Sequence, residues 1–491
     1  MLALAVRNTK KLVRRYVAAE SIRLGRFFTE KEIAATMAAS LCIPEKEEVT
    51  LLDPGAGTGI LSAAAIEEIC ISGGVSRIYL DAYETDTRFL PMLKDNLERI
   101  RKKCKHDYNV RLFVTVYEKD FLEDAVGIGE AYDGKRYDLV LLFPPEGVIP
   151  EGSFADAFCK RVSPRGSDLA FLFTEAAAAR LAEGGQMAAL LPREFADGVR
   201  ASVMRCRLLS IAPLIFMALY TQKSGRPYPR ILFSFRRGDT PPEVEIRAVS
   251  NSAVRDLPPI PYSMAVSTDE CKVLLAKKKS DFALIRAMNA LPYRLSDFGL
   301  LVRTGLTIET RYPECMRESR QDGAIPLLHP AGLYDGQMHF PPKGRKKPYI
   351  VPRIPSLKQP NRTMLLVKRV PSRAEGRHLV VGVYFSGLLP KDAYISTANK
   401  LNVIEAERGE MDFTFALGLS AVLSSSYYER YCSLTFSALR VNAAALTSLP
   451  LPSREVILAI GRRLSFARDR SIRVMDAVAG AELAPILGLR E

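Results

Sequence analysis

A glycine-rich segment near the N-terminus has the residue types and spacing of a ligand-binding turn. It reads Leu-Leu-Asp-Pro-Gly-Ala-Gly-Thr-Gly over residues 51–59, where an apolar run that predicts a strand leads into a helical pattern. Its glycines allow tight turning and close approach of the backbone to a ligand, and the helix N-terminus offers unpaired N–H groups. The lysine of a phosphate-binding loop is absent, which argues against an NTPase. Taken alone, such a turn fits any nucleotide or none.

Acidic side chains follow the next two predicted strands. Glu84 comes directly after the second strand, where a carboxylate can accept hydrogen bonds from both hydroxyls of a bound ribose. Asp120 and Phe121 come shortly after the third strand, where the carboxylate can accept from an adenine amino group and the ring can pack on the base. Each could be a chance feature of the surface. Three such features in order, at three successive strand ends, predict a site for a nucleoside-containing ligand.

The elements that must position these residues alternate between short β-rich runs and longer helical patterns from about residue 20 to 240. The predicted strands are Val49–Leu52, Ile78–Tyr83, Leu112–Tyr117, Tyr137–Phe143, Gln186–Leu191 and Ile231–Phe235. The predicted helices are Glu30–Cys42, Gly59–Glu68, Phe89–Lys102 and Asp168–Glu183. This alternation predicts an α/β domain with a mostly parallel sheet covered on both faces. Ligands of such sheets bind at the carboxyl ends of the strands.

Composition limits the class of protein. The chain has 491 residues, of which 48% are hydrophobic and 25% are charged, as in an ordinary globular protein of two or three domains. The longest apolar run, around 208–220, contains Pro213 and is shorter than the roughly 18 residues of a membrane span, so we expect no integral membrane protein. The eight cysteines form no Cys-x-x-Cys pair and only four histidines are present, which predicts neither a zinc site nor a disulfide framework.

The N-terminal segment and a proline-rich segment near residue 250 indicate how the chain is divided. The first 19 residues are basic and contain no acid, which predicts an amphipathic helix on a cytosolic protein, with a transit peptide as the alternative. Five prolines between residues 241 and 262 predict a connector. We therefore expect an N-terminal domain over 1–240, a Pro-rich connector over 241–262, and a mixed α+β domain over 263–491.

The C-terminal half contains a strongly basic stretch. Residues 341–380 include eleven Lys or Arg residues and one acid, Glu375, in a chain with a net charge of +14. Two predicted strands, Leu365–Val367 and Leu379–Tyr384, lie inside this stretch. Such a density of cations in a folded region predicts a surface that faces a polyanion, although a merely solvated basic face fits equally well. Further on, residues 427–431 read as an amphipathic helix with tyrosines on the core, rather than as a base-stacking strip.

These motifs resemble those of adenine-N6 DNA methyltransferases of type II restriction-modification systems, in the group whose cofactor region precedes its target-recognition region. The family's opening Gly-x-Phe-x-Thr-Pro segment is similar to residues 25–30, with Glu30 in place of the proline. Residues 184–195 resemble a later block of the family, and segments 325–328 and 441–452 match more loosely.

The resemblance implies a Rossmann-like domain that binds S-adenosylmethionine and needs no metal. In that family the glycine-rich turn contacts the methionine part, the carboxylate at Glu84 binds the ribose, and Asp120 with Phe121 binds the adenine. The cofactor-binding candidates are Thr29, Asp53, Gly55, Gly57, Glu84, Asp120 and Phe121.

The catalytic loop departs from the family pattern. The family has Asn-Pro-Pro-aromatic after the fourth strand, where the Asn oxygen and the first Pro carbonyl accept the amino hydrogens of a flipped adenine and the aromatic ring stacks on the base. Here the catalytic candidates are Phe143, Pro144, Pro145 and Glu146. Phe143 has no acceptor, and the charge of Glu146 repels DNA phosphates. Loss of one preorganised acceptor typically costs about 10²- to 10³-fold in rate.

Three functions follow from these observations. The first is a site-specific DNA adenine-N6 methyltransferase of a restriction-modification system, acting on double-stranded DNA with a flipped adenine, beside a cognate restriction endonuclease. The second is a catalytically impaired DNA-binding protein or subunit of the same fold. The third, a methyltransferase for proteins or small molecules, is disfavoured by the basic stretch. Either of the first two would be located in a bacterial or archaeal cytoplasm, at the nucleoid. The phosphate-contacting candidates are Arg345, Lys346, Lys347, Lys368 and Arg369.

Overall fold

A computed structural model describes most of the chain as two compact units. The described residues are 1–13, 29–124, 134–162, 168–221, 230–250, 253–267, 271–276, 279–342, 344, 347–371, 375–436 and 441–489. The first unit runs from Met1 to Lys277 and the second from Lys278 to Glu491. No helix within these ranges is long and apolar enough to cross a membrane.

The first unit is built on a mixed sheet whose strands have the order β3-β2-β1-β4-β5-β7-β6-β8-β9. The strands are β1 (Glu48–Asp53), β2 (Arg77–Tyr83), β3 (Arg111–Tyr117), β4 (Tyr137–Leu142), β5 (Leu181–Pro192), β6 (Leu214–Tyr220), β7 (Arg230–Arg236), β8 (Glu243–Ser250) and β9 (Ala253–Pro261). The first five are mutually parallel, and β7 runs antiparallel to both β5 and β6. The expected parallel α/β sheet is therefore confirmed.

Helices cover this sheet because its central strands are apolar on both faces. The helices are α1 (Leu2–Val13), α2 (Lys31–Ala39), α3 (Ile60–Ser72), α4 (Leu90–Tyr108), α5 (Phe121–Asp124), α6 (Phe154–Val162), α7 (Leu169–Ala179), α8 (Glu194–Asp197), α9 (Ser202–Ile211) and α10 (Tyr262–Ala265). Leu139 and Leu141 of β4 join the core formed with α1 to α4. The alternate residues Val140 and Leu142 are buried as well, as expected for a sheet covered on both faces.

Two predictions for the first unit were incomplete or wrong. The six predicted strands are confirmed, but β6 was missed because its uniformly apolar sequence lacks the alternation of a half-exposed strand. The predicted connector over 241–262 is instead the antiparallel pair β8 and β9 at the edge of the sheet. Prolines are tolerated there because an edge strand leaves some N–H positions outside the ladder.

The amphipathic N-terminal helix supports the glycine-rich turn. The hydroxyl of Thr9 in α1 is hydrogen-bonded to the hydroxyl of Thr58, with the two oxygens 2.7 Å apart. The buried Asn96 of α4 donates to the Thr58 carbonyl at 2.8 Å and accepts from the Asn8 amide at 2.8 Å. Three polar side chains from two helices thereby fix the backbone at the end of the turn.

The second unit contains two smaller sheets, with strand orders β10-β20-β17-β18-β14-β13 and β11-β15-β12-β19-β16. The strands are β10 (Leu300–Thr304), β11 (Met316–Arg317), β12 (Ile325–Leu328), β13 (Leu333–Tyr334), β14 (Gln337–Met338), β15 (Tyr349–Ile350), β16 (Gln359–Pro360), β17 (Met364–Lys368), β18 (Val381–Tyr384), β19 (Tyr394–Thr397) and β20 (Leu401–Ala406). The helices are α11 (Lys279–Asn289), α12 (Phe413–Ser424), α13 (Ser426–Thr435), α14 (Ala443–Thr447), α15 (Arg454–Ser465) and α16 (Ile472–Leu487). This mixed composition agrees with the expected α+β organisation.

Two glycines allow helices α12 and α15 of the second unit to pack closely. A Cβ atom at Gly418 of α12 would clash with the Ile457 carbonyl of α15, and one at Gly461 would clash with Thr414, so both glycines allow the helices to approach closely.

The predicted tyrosine helix is confirmed as α13. Tyr428 and Tyr431 of that helix are buried, with hydroxyls bonded within the second unit.

We expect Asn96→Ala to lower the free energy of unfolding by about 1–3 kcal/mol, because it removes the partner of buried polar groups at Thr58. Lys94→Ala is the matched control on the same helix, since Lys94 is exposed and its ion pair with Glu118 should contribute less than about 1 kcal/mol. Urea denaturation of both variants measures the difference. Equal losses would show that the Asn96 network does not stabilise the turn.

Candidate active site

The sequence-predicted residues converge where the strand order of the large sheet reverses. β1 lies between β2 and β4. The chain runs from β1 to β2 and β3 on one side and then crosses to β4 on the other side, so a crevice opens at the carboxyl ends of β1 and β4. A cavity of about 310 Å³ occupies it. Residues after four parallel strands line the cavity, among them Pro54, Gly55, Gly57, Glu84, Asp120, Phe121 and the loop 143–146.

The glycine-rich turn is bonded directly to the carboxylate of Glu84. Gly57 adopts a positive φ of 54°, which favours glycine, and its N–H donates to Glu84 Oε2 at 2.8 Å. The Asp86 N–H donates to Glu84 Oε1 at 2.6 Å. Glu84 is 8% exposed, so these amides hold a nearly buried negative charge at the cavity wall. The structure thus brings two of the predicted residues into contact.

Asp53 lies at the end of β1 and is almost completely buried. Its Oδ2 accepts a hydrogen bond from the Ser62 hydroxyl of α3 at 2.6 Å, which ties the strand to the helix after the turn. Burial raises the pKa of Asp53 to about 6, and the hydrogen bond from Ser62 opposes this rise only in part. The cavity itself is lined by the neighbouring Pro54, Gly55 and Gly57.

An aromatic wall surrounds the predicted adenine-binding residues. The buried ring of Phe121 lies edge-on to Tyr83, with centroids 5.2 Å apart, and 5.9 Å from the ring of Phe173. Asp120 Oδ1 accepts from the Leu122 N–H at 2.9 Å, which caps the short helix α5. All three rings and Asp120 line the cavity. Sequence reasoning missed Tyr83, although it directly precedes Glu84.

The lining of the cavity differs from the sequence prediction at two residues, since Phe173 was not predicted to line it and Thr29 was. Phe173 belongs to α7 and joins the wall through tertiary packing, so no local pattern identified it. Thr29 is half-buried and is not among the described residues that line the cavity. The preceding residues 25–28 of the opening segment lie outside the described residues.

The loop 143–146, which holds the predicted catalytic residues, is bound by an arginine from a distant strand. Arg230 begins β7, whose first residue pairs with Pro192 at the end of β5. Its Nε donates to Glu146 Oε1 at 2.7 Å, and its guanidinium carbon lies 5.2 Å from the centroid of the Phe143 ring. Arg230 thus contacts both residues that depart from the family pattern. No local sequence pattern identifies Arg230, because Arg230 and Glu146 are 84 residues apart.

A further acid lies close to this loop. Asp168 caps α7 by accepting from the Ala170 N–H at 3.1 Å. Burial raises the pKa of Asp168, and the charge of Glu146 adds to the rise. The Leu169 N–H donates to the Gly147 carbonyl at 3.3 Å, which ties the loop to the helix.

The predicted phosphate-contacting residues of the second unit differ in their surroundings. Lys347 is exposed, whereas Arg345 and Lys346 lie outside the described residues. Arg369 is half-buried and donates to the Asn399 carbonyl at 2.8 Å. Lys368 requires a correction, since it is buried and its ammonium bonds to Glu375 at 2.5 Å, which neutralises the charge inside the unit.

Comparison with known proteins agrees with this geometry. No protein-family model matches the chain. The type II methyltransferase M.PstI of Providencia stuartii is 24% identical over 476 residues, covering 93% of this chain and 92% of the relative. M.BsuBI of Bacillus subtilis, also a type II methyltransferase, is 25% identical over 461 residues, covering 89% of each chain. The chain is therefore similar to type II methyltransferases over nearly its whole length.

The chain is also similar to solved structures. The type IIL restriction-modification enzyme MmeI, solved in complex with DNA, superimposes with a TM-score of 0.56 at 12% identity, covering 100% of this chain and 76% of MmeI. A class I S-adenosylmethionine-dependent methyltransferase from Listeria monocytogenes matches 46% of this chain and 67% of its own, with a TM-score of 0.37 and 17% identity. The chain shares its fold with MmeI, and the mostly parallel α/β sheet of the first unit agrees with the Rossmann-like domain that the sequence predicted.

The raised pKa of Asp53 predicts a pH dependence of stability. Between the ordinary value of 3.8 and about 6, the folded protein retains a proton that the unfolded chain releases, so this group destabilises the fold as pH rises. We expect the unfolding free energy of the wild type, relative to Asp53→Asn, to fall by about 1 kcal/mol from pH 5 to pH 8. Urea denaturation at both pH values tests this. A difference that is constant or grows with pH would contradict the assignment.

Proposed function

We propose that this chain is an S-adenosylmethionine-dependent DNA methyltransferase of a restriction-modification system and that it modifies adenine at N6. The observation that carries the proposal is the convergence of the glycine turn, Glu84, Asp120 and the loop 143–146 on one cavity. The similarity to two enzymes named type II methyltransferases supports the same function. Its place of action would be the cytoplasm of a bacterium or archaeon, on chromosomal DNA.

The residues present fit S-adenosylmethionine. At Gly57 the positive φ strains any other residue, and the space within 4 Å of its Cβ position is open. Glu84 accepts one backbone N–H on each carboxylate oxygen and lines the cavity, where a carboxylate can serve as an acceptor for ribose hydroxyls. The wall of Tyr83, Phe121 and Phe173 suits an adenine ring. When bound, the cofactor supplies an electrophilic methyl group on a sulfonium.

The chain's own residues then bind and orient. The turn and Glu84 hold the ribose end, and Asp120 accepts from the adenine amino group of the cofactor. Asp53 is ionised at neutral pH, since its pKa is about 6, and its negative charge behind the turn favours a cationic ligand. The loop 143–146 lines the same cavity, so the base to be methylated would enter beside it.

Double-stranded DNA is the proposed second substrate, with a restriction endonuclease as the cognate partner. A net charge of +14 and the basic stretch at 341–380 provide attraction to phosphates. Lys347, which is exposed, remains a phosphate-contacting candidate, together with Arg345, Lys346 and Arg369. MmeI, with the same fold, was solved in complex with DNA. Affinity for DNA should therefore fall steeply as the salt concentration rises.

One observation favours a second candidate function, a catalytically impaired DNA-binding protein of the same fold. Phe143 offers no acceptor for an amine, and the carboxylate of Glu146 is engaged by Arg230. In this case the cofactor and DNA would bind without transfer.

We expect Glu84→Ala to weaken binding of S-adenosylmethionine about 10- to 100-fold, because hydrogen bonds to a charged group contribute roughly 1.5–3 kcal/mol. Glu48→Ala is the matched control, since Glu48 is an exposed acid at the opposite end of β1, paired with Arg77. Isothermal titration calorimetry measures the affinities, and thermal unfolding confirms that both variants fold. Equal affinities of the two variants would exclude Glu84 from the cofactor site.

Transfer of labelled methyl groups to unmethylated DNA of mixed sequence tests the activity. We expect N6-methyladenine in the hydrolysed DNA. Label in another base would overturn the adenine assignment. Cofactor and DNA binding without incorporation would favour the impaired protein, above all if the double variant Phe143→Asn with Glu146→Tyr gained activity.

A further inference from the structure

Glu146 and Phe143 carry, in exchanged positions, the two kinds of group that a site for a flipped adenine needs. An extruded base is held by hydrogen bonds to its edge and by contact with an aromatic or apolar face. Within this loop Glu146 supplies oxygen acceptors and Phe143 supplies the ring, and both line the cavity. The departure from the family pattern therefore leaves both functions present, with their order along the chain reversed.

We propose that Glu146 accepts a hydrogen bond from the exocyclic amine of the target base, that Phe143 forms the apolar face beside it, and that Arg230 positions both side chains. This inference rests on the proposed function. Glu146 would be a substrate-contacting residue. Arg230 would be a positioning residue, and no local sequence pattern identifies it.

The geometry of Glu146 suits an acceptor. Arg230 is the partner that the structure shows for its carboxylate, through Nε to Oε1 at 2.7 Å. The side chain is 31% exposed, so it is reached from the cavity without first moving out of a closed core. A carboxylate has about four lone-pair positions, and one bond to a guanidinium leaves several for an amine. An ionised acceptor also forms a stronger bond to an N–H donor than a neutral amide does.

Arg230 removes the main objection to an acid in this position. An unpaired carboxylate would repel the phosphates next to a flipped nucleotide. The guanidinium of Arg230, only 10% exposed, lies against this carboxylate and supplies the compensating charge. Since strands β5 and β7 fix Arg230 through their ladder, the charge is held in place before substrate binds.

Arg230 also fixes the ring of Phe143. The guanidinium carbon lies 5.2 Å from the ring centroid, within the range of a cation–π contact. The ring packs in addition against the core formed by α1 to α4 and the sheet. One arginine therefore couples the acceptor and the apolar face, so that displacement of either side chain should disturb the other.

The test is a double-mutant cycle between protein and DNA. After the methylated sequence has been mapped by labelled transfer, the target adenine is replaced by purine, which lacks the exocyclic amine. Binding of both duplexes is measured for the wild type, Glu146→Ala and Glu146→Gln, with Glu151→Ala as a control at a nearby exposed acid. Binding does not depend on turnover, so it remains informative for inactive variants.

We expect the wild type to bind the adenine duplex about 10-fold more tightly than the purine duplex, in line with one charge-assisted hydrogen bond. Glu146→Ala should abolish this preference and lower methyl transfer about 10²- to 10³-fold. Glu146→Gln, which keeps an acceptor, should retain most of the preference, and Glu151→Ala should leave it unchanged. If Glu146→Ala keeps the preference and the wild type is active, the role of Glu146 is overturned while the proposed function stands.

Arg230 is tested through the same preference. We expect Arg230→Gln to reduce the discrimination between adenine and purine, and Arg230→Lys, which restores the charge, to recover part of it. Full discrimination in Arg230→Gln would remove Arg230 as a positioning residue. If the wild type transfers no label to DNA, the proposed function fails and this inference fails with it. If it transfers label to adenine but binds both duplexes equally, only the role of Glu146 fails.

Discussion

The hydrogen bond from the Gly57 N–H to the buried carboxylate of Glu84 is the contact on which the candidate site depends. It joins the loop after β1 to the loop after β2, and it places a negative charge at the wall of the cavity. Because Glu84 is nearly buried, its charge must be satisfied by hydrogen-bond donors, which here are backbone N–H groups. These bonds also hold the glycine-rich turn in place. The supports behind the turn, from α1 and α4, serve the same end by holding Thr58.

Two ion pairs among the described residues compensate charge in different surroundings. Lys368 and Glu375 neutralise each other inside the second unit, so the lysine supports β17 rather than facing a polyanion. Arg230 and Glu146 form a similar pair, but Glu146 lines a cavity that Phe143 also lines. A pair at this position costs less desolvation than one in the core and leaves carboxylate lone pairs accessible.

Under the proposed function, the loop 143–146 would keep a chemical function whose sequence motif has changed. A residue-by-residue comparison with the family finds an acceptor replaced by a ring and a ring replaced by an acid. In three dimensions both groups face one cavity, and one arginine contacts them both. The requirement for transfer to an amine is an acceptor and a face at the right distance, and these are properties of space rather than of order along the chain.

The sequence by itself determined the parts of the site that local patterns encode. The glycine turn, Glu84, and Asp120 with Phe121 follow strands whose apolar runs are recognisable, and parallel strands must bring their carboxyl ends to one edge. The amphipathic helices were also predictable, because they are encoded by short local patterns. Tertiary structure alone decided the contacts across long separations. Arg230 meets Glu146 because β7 inserts antiparallel beside β5, Phe173 reaches the wall through α7, and the prolines near 258 lie in an edge strand. Sequence patterns report periodicity and turns, whereas ion pairs and cavity walls depend on which strands become neighbours.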